Sequence, residues 1–557
     1  SVVAGLEASA RDVRVGRRAR RRARIEAETM ANLPNPIVLQ ERRRWRASTR
    51  KWGVFAVAVA AAVGLLATVD VLGSQLEGGA LLRDSWRFGD LVSSALHSWL
   101  PSGDGRAVPV DALWILLAPF VGLTGSTLGS FPSALVGSGV AASALTGFIG
   151  LRVLTNSPQV RALGGLGWAF APPLLSAVSS GHVAAVVWHA LAPLALRAAV
   201  TAWRTGSVPA LGSAAILVAY MSAAAPATLA PALLLALIGF FTRAKGRPHW
   251  LWLPVPALAA LAPTLRAAFN SDHPLRLFAS TPGQPVAVSP SKLGLLSFSP
   301  TSTVGVPEGA FEIASILAPG ALLVLALLAL VRTRNSHSIH AGLALIGTGW
   351  AWAAACMATS TGSLVDGSGF VHARGWAGIG LSLAFLGLLI TLVSAGDGLR
   401  TDLRERSFSF FHIGLSGATA VACAAMLALA GIWGVATLNR KPNDVAAPAL
   451  AEVKSNAVPT LAIADQKGTR RNRVLVLSTV EGGIQANLWR GNGTQLHETS
   501  MAAGLMPATP PIHRWLGPSP RLPATPRTSP EPSPSTPFRW CLSPRKTPPP
   551  RRLSSPN

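Results

Sequence analysis

Along most of this chain the apolar residues do not alternate with polar ones but form long runs with polar residues at their ends. GVFAVAVAAAVGLLATVDVLG (53–73) and ALLLALIGFFT (232–242) are examples. A hydrocarbon layer about 30 Å thick takes about 20 helical residues to cross. Repeated runs near that length predict an all-α polytopic membrane protein. Helices are expected at 53–73, 112–130, 132–151, 163–180, 183–202, 209–241, 250–268, 313–331, 341–359, 376–395 and 408–437, about 11 transmembrane helices in all. Segment 209–241 contains Pro226 and Pro231, so one broken helix and two separate helices both fit it.

The polar positions then set the topology. Residues 11–51 hold 14 Lys or Arg directly before the first apolar run. Such segments stay on the cytoplasmic side and draw to anionic headgroups, which is preferred here over a nucleic-acid-binding arm. With the amino end inside, RAKGR (243–247), RTRNSH (332–337) and RTDLRER (400–406) all fall inside. Arg152, Arg161 and Arg204 fall outside, against the bias. Three sizeable outer loops result, 74–111, 269–312 and 360–375, and the carboxyl end is extracytoplasmic.

The chain accordingly divides into a basic cytoplasmic juxtamembrane segment (1–52), a transmembrane domain (53–438), a small, truncated extracytoplasmic region (439–501) and a tail (502–557). RVLVLSTVEGGIQANLWRGNG (473–493) gives the third part β or α/β character, because two alternating runs flank a Gly-Gly turn. The tail is so dense in Pro, Ser and Arg that it cannot bury a core. A disordered linker and an out-of-frame translation both account for it. The chain begins at Ser1 without a signal-peptide pattern, as expected of a fragment whose upstream portion is missing.

Composition agrees with the pattern. Of 557 residues 50% are hydrophobic and 13% charged, the mean hydropathy is +0.40 and the net charge is +25. Charged residues make up about 25% of an ordinary soluble chain. Cys356, Cys423 and Cys541 show neither metal nor disulfide spacing, and no cofactor is identifiable. The partners expected are membrane lipids and a polyprenyl-linked sugar or growing glycan.

Candidate chemistry lies mostly in the outer loops. In DSWRFGD (84–90), Asp84 or Asp90 would deprotonate an acceptor hydroxyl while Arg87 binds the leaving phosphate. On a helix, positions six apart point about 240° away from one another, so the two carboxylates are separate candidates rather than a pair. A solvated interfacial loop helix is the competing reading. Within the membrane, His182 and His189 share one helix face. His182 falls at a helix end, whereas His189 either binds substrate or hydrogen-bonds between helices. The small residues of GSGVAASALTGFIG (137–150) and GWAGIGLSLAFLGLL (375–389) let helices pack closely. QERRRW (40–45) approaches the Q-x-x-R-W motif of polysaccharide synthases but misses its spacing by one residue. NGT (492–494) is a formal glycosylation sequon.

The order of features resembles a known family. A basic amphipathic stretch (SVVAGLEASARDVRVGRRARRRARIEAE), one helix and a loop of the form GGALL…DLV…W…G…VPVDALW come first. APPLLSAVSSGHVAAVVWHALAPLALRAAVTAW and FASTPGQPVAVSPSKLGLLSFSP follow. Together, over roughly 1–500, they resemble the membrane portion of large actinobacterial family-2 glycosyltransferases. In that family a nucleotide-sugar transferase domain precedes a many-helix membrane region. The resemblance implies a membrane module for cell-envelope polysaccharide or glycolipid synthesis that anchors a cytoplasmic transferase domain. The family's D-x-D site is absent from this sequence, so any divalent metal belongs to that missing domain. Two alternatives stand beside this one: a transporter or flippase for a lipid-linked sugar, and a transferase using polyprenyl-linked donors at the outer face of the plasma membrane.

Overall fold

The computed structural model describes residues 36–100, 105, 107–242, 247–285, 292–299, 308–331, 336–366, 369–397, 410–438, 450–453, 458–468, 472–480, 483–489, 491 and 493–505. Two compact units divide between Phe55 and Ala56. In the first, the described residues are the opening turns of helix α1 (Pro36–Thr68), which carry Arg44, Arg46, Arg50 and Lys51. The basic stretch before residue 36, the loops 243–246, 332–335 and 398–409, the sequon's Asn492 and the tail from 506 lie outside the described residues.

The second unit is mostly helical. Its elements are α2 (Phe88–His97), α3 (Ala112–Thr124), α4 (Phe131–Gly150), α5 (Pro158–Ala169), α6 (Pro172–Ser179), α7 (Val183–Thr205), α8 (Val208–Ala224), α9 (Leu229–Thr242), α10 (Val255–Phe269), α11 (Glu308–Leu328), α12 (Ser336–Ala358), α13 (Gly378–Gly396) and α14 (Phe410–Leu438), with a few short helical turns besides. Among the described residues six helices are long and apolar enough to cross a membrane, or seven if the bent pair α5–α6 counts as one span. The expected count of about eleven is not confirmed among the described residues, and two departures from the expected segments set the path of the chain.

First, 112–130 does not cross. Asp111, just before α3, accepts the Met501 N–H at 2.8 Å, and just after α3 the Leu128 N–H donates to the Trp86 carbonyl at 2.7 Å. Both ends of this 13-residue helix therefore return to the same loops. Second, 209–241 is two helices, not one. Pro226 lacks the N–H that would continue α8, and Ala225 is extended (φ −149°, ψ 102°). Helix α9 then runs back until Gly239 meets the Trp250 indole, itself packed with Ala202 and Leu211 near the end of α7 and the start of α8.

These departures offset each other in direction but change which residues share an end. Arg204 donates through Nη1 to the Val153 carbonyl (2.9 Å), and Thr155 Oγ1 donates to Asp397 (2.7 Å). Arg152, Arg161 and Arg204 thus lie at the end where α9 and α13 finish, the end from which the chain enters 243–246 and 398–409. The expected exception to the charge bias arose from counting 112–130 as a crossing, and it disappears. The opposite end gathers the loops after α1, α6, α8, α10 and α12.

Small residues set the helix spacing as the sequence suggests. Where α12 crosses α13, a Cβ added at Gly387 would fall 2.4 Å from the Gly342 carbonyl oxygen, and one at Gly349 2.4 Å from the Ala384 nitrogen. Glycine lets the two backbones touch there. The strands are short and antiparallel. β1 (Leu76–Glu77) pairs with β4 (Ala451–Glu452), β2 (Ser360–Asp366) with β3 (Gly369–Arg374), and β5 (Val474–Val480) with β6 (Gly483–Trp489), the hairpin formed by the alternating run at 473–493.

Candidate functional site

The stretch DSWRFGD acts as a clasp. Asp84 Oδ1 accepts the Trp86 N–H at 2.8 Å. Its Oδ2 accepts both the backbone N–H of His497 (2.8 Å) and the ring Nδ1 of His497 (2.9 Å). The Trp86 indole stacks on that imidazole with centroids 3.7 Å apart. The Asp84 side chain is fully buried, and a Cβ at Gly129 would fall 2.4 Å from its carbonyl oxygen. Oδ1 thus fixes the turn of the first loop and Oδ2 holds the 495–501 segment onto it, and the buried carboxylate does not face a substrate. Asp90 is exposed and caps α2 by accepting the Arg87 N–H at 2.9 Å. Arg87 is exposed too. These three residues do not converge on one another.

His189 closes a gap in the backbone. The chain bends by 41° between α5 and α6, because Pro172 and Pro173 cannot donate to the carbonyls of Trp168 and Ala169 four residues earlier. His189 Nε2 lies 2.9 Å from the Trp168 oxygen and Nδ1 2.9 Å from Ser382 Oγ. A carbonyl only accepts, so Nε2 carries the proton and the Ser382 hydroxyl donates to Nδ1. The ring also stacks on Trp168 at 3.6 Å and has no exposed surface. Both nitrogens are used, and the residue offers nothing to a ligand in this arrangement.

Open chemistry is found instead in a cleft of about 60 Å³ at the end away from Arg204, where His182, Gln284, Thr361, Arg374, Trp376 and Thr499 are among its lining residues. Four separate stretches of chain build it. The loop after α6 turns at Gly181 (φ +70°), where a Cβ would also meet Leu450 at 2.8 Å. The His182 N–H reaches back to the Ala177 carbonyl (2.9 Å), the six-to-one bond of a Schellman cap. Ala80 ties two walls together, donating to the Ser180 carbonyl and accepting from the Gln284 N–H, both at 2.9 Å. The hairpin β2–β3 brings Arg374, and the clasped 495–501 segment brings Thr499 and Ser500.

Within the cleft the His182 ring stacks on Trp376 at 3.7 Å. His182 Nε2 and Trp376 Nε1 are both buried with no hydrogen-bond partner among the described residues. Burial pushes the imidazole down to about 3, so it is neutral at physiological pH. Arg374 is exposed and spends Nη1 on the Met357 carbonyl at 3.3 Å, keeping further N–H groups for a ligand. Behind Ser500, Asp111 is pushed up to about 7 by burial, partly countered by bonds from Met501 and Ser500. A cation, a neutral imidazole, an amide and hydroxyls suit the binding of a polar or phosphorylated group. No carboxylate lines the cleft among the described residues, and no group of three or more His, Cys, Asp or Glu is placed to hold a metal.

Sequence reasoning put His182 at a helix end without giving it a role, and it counted the outer loop VDGSGFVHARGW (365–376) among the candidate polar stretches without singling out Arg374 or Trp376; Gln284 was given no role. The available signal was RGW immediately before an apolar run, in a loop facing SSGH, whose His182 stacks on Trp376. No protein-family model and no curated protein matches the chain. Among solved structures, the cryo-EM structure of arabinofuranosyltransferase AftD from Mycobacteria is similar to it at 16% identity and a TM-score of 0.44, covering 70% of this chain and 27% of that one, so the chain spans little more than a quarter of its length.

Proposed function

We propose that this chain is the membrane module of a glycosyltransferase of cell-envelope polysaccharide or glycolipid synthesis. Its cleft receives the phosphate and sugar hydroxyls of a polyprenyl-linked sugar or growing glycan. The observation that carries this proposal is the cleft itself: Arg374 at its edge, with His182 Nε2 and Trp376 Nε1 buried and unpartnered nearby among the described residues. Buried donors and acceptors without partners are costly, and a ligand rich in hydroxyls and phosphate oxygens would supply them. The gathering of Arg152, Arg161 and Arg204 at the other end supports a cytoplasmic placement of that end, and with it the anchoring of a transferase domain there, as the family resemblance implies. The cleft then faces the extracytoplasmic side, where lipid-linked rather than nucleotide-linked donors are available.

The test is equilibrium titration of the purified full chain with a short-chain polyprenyl-phosphate-linked sugar. Binding should saturate and weaken about tenfold or more in Arg374→Gln, the loss of one charged hydrogen-bonding partner at about 1.5–3 kcal/mol. Equal affinity in the folded variant would sink the assignment of the cleft.

A further inference from the structure

A second recess, of about 260 Å³, opens at the basic end, with Arg152, Thr155, Asn156, Arg204, Ser338 and Asp397 among its lining residues. Its walls are firmly held. Arg204 is anchored by Nη1 on the Val153 carbonyl at 2.9 Å, and Thr155 Oγ1 fixes Asp397 at 2.7 Å. Asp397 is the one carboxylate among the lining residues.

More positive charge stands close by. Arg161 is 3% exposed. It spends Nε on the Phe148 carbonyl at 3.0 Å, and its guanidinium lies 4.1 Å from the centre of the Phe148 ring. Its Nη1 is buried without a partner among the described residues. Arg152 and Arg197 are near enough to act on it electrostatically. Arginines placed together repel, and burying one makes the repulsion stronger. Asp397 offsets part of that charge, and an anion in the recess would offset more. Guanidinium forks match phosphate oxygens in pairs, while the Asn156 amide and Ser338 hydroxyl can donate further.

We propose that this recess binds a phosphate group, supplied either by the headgroup of a membrane lipid or by a free phosphate compound. Nothing in the proposal depends on the lipid-linked-sugar cleft, which lies at the opposite end.

The full chain in neutral detergent is titrated in separate arms with dioctanoyl phosphatidic acid, with dioctanoylglycerol (the same lipid without phosphate) and with inorganic pyrophosphate. Saturable binding of phosphatidic acid alone identifies a lipid headgroup site. Saturable binding of pyrophosphate identifies a free-phosphate site. In either case the double variant Arg152→Gln/Arg204→Gln should bind at least tenfold more weakly. Asn156→Asp, an exposed change that adds a carboxylate to the recess, should weaken binding as well and serves if the double variant does not fold. Three results would overturn the proposal: no saturation in either phosphate arm, equal binding of dioctanoylglycerol and phosphatidic acid with no pyrophosphate binding, or wild-type affinity in folded variants.

Discussion

Replacing His189 with leucine tests whether its imidazole repairs the helix break. Leucine fills a similar volume but neither donates to the Trp168 carbonyl nor accepts from Ser382. The carbonyl keeps the Ala171 N–H, at a long 3.3 Å, and Ser382 loses its acceptor. An unpaired buried polar group costs about 1–3 kcal/mol, and the lost ring stacking on Trp168 adds about 0.5–1.5 kcal/mol. Hydrogen bonds between membrane helices measure lower, about 0.6 kcal/mol on average, so His189→Leu should destabilise by about 2 kcal/mol. Reversible unfolding in mixed micelles would measure it. Ser382→Ala should cost less, and the double variant less than the sum of the two, because both changes break the same relay. A folded His189→Leu protein with wild-type stability but lost affinity for lipid-linked sugar would refute this reasoning and restore His189 as a ligand-binding residue.

Asp84→Ala should release the 495–501 segment by removing the acceptor of two N–H groups of His497, at a cost of about 1–3 kcal/mol for each buried donor left unpaired. Hydrogen exchange at Leu496–Met501 would rise, whereas Asp90→Asn should leave it unchanged. Unchanged protection in Asp84→Ala would contradict the clasp. Asp111 predicts a pH dependence. Its ordinary value of 3.8 is pushed up to about 7 in the folded chain, so between these values the folded state holds a proton that the unfolded state has released. The stabilisation is complete below about pH 4, is lost as pH rises toward 7, and levels off above that. The shift bounds the effect at roughly 4 kcal/mol. Melting of Asp111→Asn should lack this slope, and parallel profiles for variant and wild type would count against it.

How much of this was legible in the sequence depended on how local the signal was. Apolar runs and small-residue spacing are local, and they pointed to the helical membrane class and to close packing along 375–389, where Gly387 meets the Gly342 carbonyl. The basic loops 243–247 and 400–406 suggested one shared end; most of these residues lie outside the described ones, but helices α9 and α13, which lead into them, finish together. Helix 112–130 was misread because length and hydropathy do not distinguish a crossing from an apolar helix that returns to its starting surface. Only the long-range bonds from Met501 to Asp111 and from Leu128 to Trp86 make that distinction. The clasp was equally hidden, since Asp84 and His497 are 413 residues apart in sequence. The cleft is assembled from turns none of which carries a recognisable motif. His182 and Trp376 matter because they meet, and each alone looks like an interfacial residue.

The most direct measurement of the central claim is photoaffinity labelling of the full chain in bilayer discs, using a polyprenyl-phosphate-linked sugar with a photoreactive group on the sugar. Mass spectrometry of the labelled peptides should place the adducts in 279–285 or 373–377, competed by unlabelled carrier and reduced in Arg374→Gln. Adducts confined to the Arg152–Arg204 end, or spread over lipid-facing helices without competition, would contradict the assignment.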